Sequence, residues 1–385
     1  MKLPVYLDNN ATTPCDPRVV EAMLPWFTEK FGNAASNSHL YGWEAAEAVK
    51  IAREQVASLI GANPREIIFT SGATEGDNLA LKGAFEMYTG KGDHLITVQT
   101  EHKAVLDSCF HLEKKGAHIT YLPVDQSGFI NPAELEAAIT EKTIMIAVMY
   151  ANNETGTVQP IHEIAAIARK NGILFFTDAT QAVGKIPVNV IGDGIDLMAL
   201  SAHKMYGPKG VGALYVRRKD PRVKLMAQMN GGDHELGMRS GTLNVPGIVG
   251  MGKACELAAA NLSAESRSVK ELRDYLEESL LRLPGTRRNG PAIERLPQVT
   301  NLQFSKHLAS DLMTRLNKHV AVSSGSACSS LSPEPSHVLM AMGLSDEEAH
   351  SSIRFSLGRF TTKEELDYTI LKIRGEVDKL PVATV

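Results

Sequence analysis

Long apolar runs are missing from this chain, and that absence already excludes a class of protein. The nearest approach, Thr143 to Ala151, is far shorter than the roughly 20 apolar residues a membrane helix requires. The amino terminus, Met1-Lys2-Leu3-Pro4-Val5-Tyr6-Leu7-Asp8, has no apolar core of a signal peptide. Cysteine is scarce. Cys15, Cys109, Cys255 and Cys328 form neither a C-x-x-C nor a zinc spacing, so reduced thiols in the cytoplasm are expected. Nor is charge of one sign in excess: a formal net charge of −4 offers no footprint for nucleic acid or any other polyanion. Repeats, low-complexity tracts and long linkers are absent as well. What remains is an ordinary globular composition, 43% hydrophobic and 22% charged, in 385 residues, enough for two or three domains.

From about residue 44 helices and strands alternate. Ala45, Ala48, Val49, Ala52, Val56 and Leu59 recur at helical spacing and stop at Gly61. Strands are predicted at 67–69, 95–99, 119–123, 144–150, 173–177, 195–200 and 212–216. Helices fall between them, one through Leu79, Leu81 and Phe85 and others at 104–114, 132–139 and 161–170. Such interleaving predicts an α/β layer structure with a mainly parallel sheet. After Pro246 comes a long helical stretch, 247–283, expected to break around Asn261-Leu262-Ser263. Beyond it, strands at 299–304, 320–323 and 352–357 and helices at 309–317, 336–342 and 363–379 read as a smaller α/β domain.

Two strands end in informative residues. Ile173-Leu174-Phe175-Phe176-Thr177 hands over to Asp178, and Ile195-Asp196-Leu197-Met198-Ala199-Leu200 to Ser201-Ala202-His203-Lys204. Ligands of parallel sheets sit at the carboxyl ends of strands. A lysine and a carboxylate delivered there suit pyridoxal 5′-phosphate, which needs a Schiff-base amine and an acidic partner for its pyridine nitrogen. Three further turns reach the same edge. Thr70-Ser71-Gly72-Ala73-Thr74-Glu75-Gly76 opens a helix whose unpaired N–H groups can hold a phosphate, with the Thr74 hydroxyl as an extra donor. Glu101-His102-Lys103 brings an imidazole, and Asn152-Asn153-Glu154-Thr155-Gly156 brings amides. Each also fits a plainer role: N-capping by Ser71 or Thr74, a solvated loop histidine, an Asn-rich turn. Five successive strand ends carrying donors on one side of a sheet are hard to explain by accident.

Cys328 stands in Val322-Ser323-Ser324-Gly325-Ser326-Ala327-Cys328-Ser329-Ser330-Leu331-Ser332-Pro333, a small-residue segment expected to form a mobile loop over about 322–334. Cys15, Cys109 and Cys255 read instead as buried small hydrophobes. An exposed thiol near a pyridoxal site suggests capture of sulfur or selenium from a substrate. In Ser351-Ser352-Ile353-Arg354-Phe355-Ser356-Leu357, the alternation sets Arg354 opposite the apolar face, where it could grip an amino-acid carboxylate or lie on a half-exposed strand.

With these residues in order, joined by Tyr6-Leu7-Asp8-Asn9-Asn10-Ala11-Thr12-Thr13, Asp178-Ala179-Thr180-Gln181 and Arg239-Ser240-Gly241-Thr242, the chain resembles the cysteine desulfurases of the NifS/IscS type. These are pyridoxal-phosphate enzymes of the class V aminotransferase-like group. The resemblance implies the fold type I of such transferases. A large cofactor domain (15–255) would contain a mainly parallel seven-stranded sheet, and 1–14 with 256–385 would form a small domain carrying the cysteine loop. It implies Lys204 as the Schiff-base residue, Cys328 as the persulfide-forming nucleophile and a candidate transient iron–sulfur ligand, and His102 as ring-stacking proton carrier. Asp178 and Gln181 would hold the ring. Ala73, Thr74, Ser201, Ala202 and His203 would hold the phosphate, with Thr242 entering from the partner subunit of a homodimer. Asn153 and Arg354 would hold the carboxylate of L-cysteine, and an iron–sulfur scaffold or a tRNA-thiolation relay would receive the sulfur. Three features depart from the family pattern: Ala202 for the usual glycine, expected to leave its N–H usable; Leu236 for a cation; and a tail without the longer aromatic end. The rival readings are a selenocysteine lyase or aminotransferase, the latter having no use for Cys328, and a non-catalytic scaffold, whose mark would be loss of Lys204 or Cys328.

Overall fold

Alternation within each short apolar strand decides which helix layer a side chain meets. The computed structural model describes residues 1–305, 307–324 and 334–377; Cys328 and most of the predicted loop around it lie outside them. In chain order the elements are β1 (Val5–Tyr6), α1 (Pro17–Met23), α2 (Pro25–Thr28), α3 (Leu40–Ile60), β2 (Ile67–Thr70), α4 (Ala73–Tyr88), β3 (His94–Val98) and α5 (Lys103–Glu113). Then follow β4 (His118–Leu122), α6 (Pro132–Ala137), β5 (Thr143–Ala147), α7 (Ile161–Lys170), β6 (Leu174–Asp178), β7 (Leu197–Ser201), β8 (Gly212–Val216) and α8 (Val245–Leu281). The remainder holds β9 (Thr286–Asn289), β10 (Val299–Phe304), α9 (Ala309–Leu316), β11 (Val320–Ala321), α10 (His337–Ala341), α11 (Asp346–His350), β12 (Ser352–Ser356) and α12 (Lys363–Val377).

Seven strands form the main sheet in the order β2-β8-β7-β6-β5-β3-β4. The expectation of a mainly parallel sheet holds: β8 alone runs antiparallel to its neighbours, β2 and β7. All the other pairings are parallel. Because successive strand residues face opposite ways, Ile67 and Phe69 join a core with α3, α7 and the first turns of α8, while Ile68 joins one with α4 and α5. Both faces are therefore covered, as a parallel sheet requires. A third core gathers Val5 and Leu7 with Leu276, Leu280, Leu302, Ile353, Phe355 and Ile370. It surrounds the antiparallel sheet β12-β10-β9 and the parallel pair β1-β11.

Helix α8 links the first and third cores, and here the structure corrects the sequence reading. It runs 37 residues with no break at Asn261-Leu262-Ser263. The Asn261 amide donates to the Leu257 carbonyl at 2.7 Å, so its polar group is satisfied one turn back rather than ending the helix. Cys109 and Cys255 are buried as expected, but Cys15 is only half-buried. None of the described helices is long and apolar enough to cross a membrane.

Candidate functional site

The carboxyl ends of β2, β3, β5, β6 and β7 open onto one cavity of about 490 Å³. Its wall includes Ala73, Thr74, His102, Asn153, Asp178, Gln181, Ser201, His203, Lys204 and Arg354. The β2 turn is placed by close backbone approach: a Cβ on Gly212 would stand 2.7 Å from the Gly72 Cα, so only glycine lets β8 lie beside it. Helix α4 begins at Gly72 without any side-chain cap. Neither Ser71 nor Thr74 is spent on capping, which leaves the positive end of a 16-residue helix facing the cavity.

At the end of β7, the Lys204 ammonium donates to the carbonyls of Asn10 (2.6 Å) and Ala11 (2.8 Å). The segment before α1 thus crosses the cavity as a wall. Thr13 ties it down, its N–H and hydroxyl both donating to the His203 carbonyl at 3.0 Å. Burial, and then Lys204, Lys209 and Lys185, depress the His203 imidazole to about 4, so it is neutral near pH 7. Its Nδ1 meets the Thr12 hydroxyl at 3.1 Å.

His102 is the N-cap of α5, and its Nδ1 accepts the Ala104 N–H at 3.1 Å. An accepting Nδ1 puts the neutral ring's proton on Nε2. Asp178 ends β6 nearly buried, with Oδ1 accepting the Thr180 N–H at 2.9 Å. Gln181 is fixed at both ends of its amide: Nε2 donates to Asn10 O and Oε1 accepts from Lys185 Nζ, each at 2.9 Å. Burial, followed by Lys204 and Arg354, lowers the Lys185 ammonium to about 7.

Arg354 is buried within β12 and donates to Asp8 Oδ1 at 2.7 Å and to the Asn153 carbonyl at 3.2 Å. Its Nε–H has no partner among the described residues. The turn at 152–156 divides its labour: Asn152 Oδ1 accepts the N–H groups of Glu154 and Thr155, so the turn-forming role belongs to Asn152 and Asn153 is left at the cavity.

One residue differs from expectation. Ala202 is fully buried, and its N–H donates to the Val211 carbonyl at 3.2 Å, so that N–H is engaged in the sheet rather than offered to a phosphate. Its methyl packs under Gly207, where an added Cβ would stand only 2.8 Å away. Leu236 stands 58% exposed, while the adjoining Glu235 carboxylate turns inward to Arg53 and the Phe69 N–H. Thr242 is exposed and is not among the residues lining its own chain's cavity. Cys328 is outside the described residues. Sequence reasoning missed Asp77, Lys209, Gly210 and the wall formed by Asn10 to Thr12. An Asp in mid-helix gives no sign of burial, and the wall's backbone carbonyls carry no residue signature.

This chemistry fits pyridoxal 5′-phosphate: one cavity joins an uncapped helix start with hydroxyl and imidazole donors for phosphate, a buried carboxylate and a lysine. The comparisons agree. The family model for the class V aminotransferases matches residues 5–369. A cysteine desulfurase IscS of Anaeromyxobacter sp. (strain Fw109-5) is 57% identical over 99% of this chain and 94% of its own. Among solved structures, a NifS-like protein superposes with a TM-score of 0.92 at 39% identity, over 98% of this chain and 100% of its own. SspA in complex with cysteine gives 0.82 at 38% identity, over 93% of this chain and 100% of its own.

Proposed function

Since the chain belongs to the class V aminotransferase family, alongside cysteine desulfurases of the IscS and NifS kind, we propose that it removes sulfur from L-cysteine. The products are L-alanine and a Cys328 persulfide. The observation that carries this reading is the convergence of five strand ends on one cavity bearing Lys204, Asp178 and Arg354. Pyridoxal 5′-phosphate, when bound, supplies an electron sink next to the substrate Cα.

The chain's own residues do the rest. The start of α4, Thr74, Ser201 and His203 bind the phosphate; a neutral His203 donates without adding a charge that burial would penalise. Asp178 would face the ring nitrogen and keep its proton in place, since an opposite charge at close range shifts a pKa by about 1–3 units. Gln181, held by Lys185 and Asn10, would offer its remaining amide N–H to the ring oxygen. Arg354 and Asn153 orient the substrate carboxylate. Freed from its two carbonyl acceptors as a neutral amine, Lys204 takes the Cα proton and returns it, with His102 lining the same cavity. The Cys328 thiolate attacks the substrate sulfur; the C–S bond breaks, its electron pair goes to Cβ, a proton completes the methyl group of alanine, and the sulfur stays on Cys328 with its own proton.

We further read the protein as a cytoplasmic homodimer divided near residues 15 and 255. Two features support the dimer: Thr242 is exposed away from its own cavity, and Leu24, Phe27, Phe31, Leu40 and Trp43, all in the segment 24–43, are each more than half exposed. The persulfide then passes to an acceptor thiol on an iron–sulfur scaffold or a tRNA-thiolation relay.

The test quantifies alanine and sulfide from L-cysteine with the reconstituted protein. Lys204→Ala lowers alanine formation by roughly 10²–10⁴-fold. Cys328→Ala keeps the cofactor absorbance and loses persulfide. Sulfide release from Cys328→Ala at the unmodified rate would refute the nucleophile assignment.

A further inference from the structure

Behind Asp178 the cavity wall contains a second acid. Asp77, on the first turns of α4, has no exposed surface, yet neither of its carboxyl oxygens has a hydrogen-bond partner among the described residues. It lines the cavity. One of its oxygens, one of Asp178 and a ring nitrogen of His102 all lie within 4.8 Å of one another. A third acid, Glu101, is equally buried; one oxygen accepts the Met149 N–H and the other has no partner.

Three buried carboxyl groups this close cannot all ionise, because each charge raises the cost of the next in a poorly solvated site. Burial, and then Asp178 and Glu101, push Asp77 well above the usual carboxylate range. Burial does the same to Glu101, with the Met149 N–H opposing it and Asp178 adding to it. The groups facing Asp77 are Asp178 from β6 and Glu101 and His102 from the loop before α5. Burial therefore favours the uncharged, protonated form of Asp77 and of Glu101. A buried carboxylic acid has an O–H to donate, and the Asp178 carboxyl, which already accepts the Thr180 N–H, is an acceptor within 4.8 Å of it.

We propose that Asp77 is a positioning residue of the cofactor site, giving its carboxyl O–H to the Asp178 carboxylate and so holding Asp178 aimed at the ring nitrogen. This rests on the pyridoxal-phosphate reading above. The two carboxyl groups, with oxygens within 4.8 Å, have to come closer to make the contact, and no proton is transferred in making it. Asp77 acts through Asp178, so its loss weakens cofactor retention before it alters sulfur chemistry.

Two measurements test this. The first needs no cofactor: an infrared difference spectrum of the apoprotein against Asp77→Asn at pH 7 is expected to show a protonated carboxyl band. Its absence would overturn the proposal. The second is a pyridoxal-phosphate binding titration. Asp77→Val keeps the volume without a donor and binds about tenfold more weakly, the effect of one charge-assisted hydrogen bond. Asp77→Asn, whose amide still donates, stays within about threefold of the unmodified protein. Equal weakening in both variants, or none in Asp77→Val, would overturn the donor role. If the unmodified protein took up no pyridoxal phosphate at all, the functional reading would fail, while the infrared result would still report whether Asp77 holds a proton.

Discussion

Replacing Asp8 and Arg354, singly and together, separates a structural ion pair from a substrate contact made by the same guanidinium. The Arg354 side chain is 1% exposed and that of Asp8 18%, with 2.7 Å between the charged atoms. Breaking a buried pair by removing one partner typically costs about 3–5 kcal/mol, because the other charge is stranded. Asp8→Asn strands the fully buried cation, but the partial exposure of Asp8 moderates the pair, so a loss of about 3 kcal/mol is expected. Arg354→Met strands the better solvated partner and destabilises less. It also removes the donor we propose for the substrate carboxylate. A hydrogen bond to a charged group contributes about 1.5–3 kcal/mol, and about 1.4 kcal/mol is tenfold, so KM for L-cysteine rises roughly 10–150-fold. The double variant has no stranded charge, and more than half of the Asp8→Asn stability loss returns while KM stays high. Urea unfolding of the apoprotein gives the first quantity and steady-state kinetics the second. A normal KM in Arg354→Met, or a double variant no more stable than Asp8→Asn, would refute the reasoning.

Glu277 accepts from Arg295 Nη1 at 2.6 Å and from the Thr300 hydroxyl at 2.5 Å. Burial alone would raise its carboxyl, but these donors prevail and hold it down from 4.5 to about 2. A depressed carboxylate stabilises the fold above the unfolded value, and that contribution fades as pH falls toward the folded one. About 3 kcal/mol is therefore lost between those two values, and Glu277→Gln flattens this acid limb in denaturation curves at stepped pH. Lys185 gives a slope of the same sign at higher pH. Its folded value near 7 lies below 10.5, so the unfolded chain binds more protons between them and stability climbs with pH across that window. Lys185→Met removes the climb in apoprotein melts between pH 7 and 9.5. Thr74→Ala takes one donor from the phosphate site and lowers pyridoxal-phosphate affinity several-fold, read by equilibrium binding; an unchanged affinity would place the phosphate elsewhere.

The sheet was legible because its strands are short apolar runs between turn residues, and burial on both faces leaves such runs unmistakable at 173–177 and 195–200. The long helix was misjudged at Asn261 because helix propensity ranks asparagine low, whereas one side-chain bond to Leu257 satisfied it locally. Strand β9, Thr286-Arg287-Arg288-Asn289, was missed for the opposite reason: it lies at the edge of its sheet, and its polar residues carry no apolar alternation. The start of α1 was overlooked although its signal was plain, an Asp16 cap followed by Pro17. At the site, residues with distinctive side chains at strand ends could be picked from sequence. Asp77 and Lys185 could not, because what marks them is burial beside other charges, a property of the folded arrangement alone.

The strap from Asn10 to Thr13 gives this molecule an order of completion. Strand β1 pairs with β11, Val5 opposite Val320, and Asp8 meets Arg354 across 346 residues of chain. On a ribosome, the sheet carrying Lys204 emerges long before those partners do. Its lysine lacks the Asn10 and Ala11 carbonyls in their final places until the last third of the chain has left the exit tunnel. The cavity wall from Asn10 to Thr12 is thus among the last parts of the site to be completed.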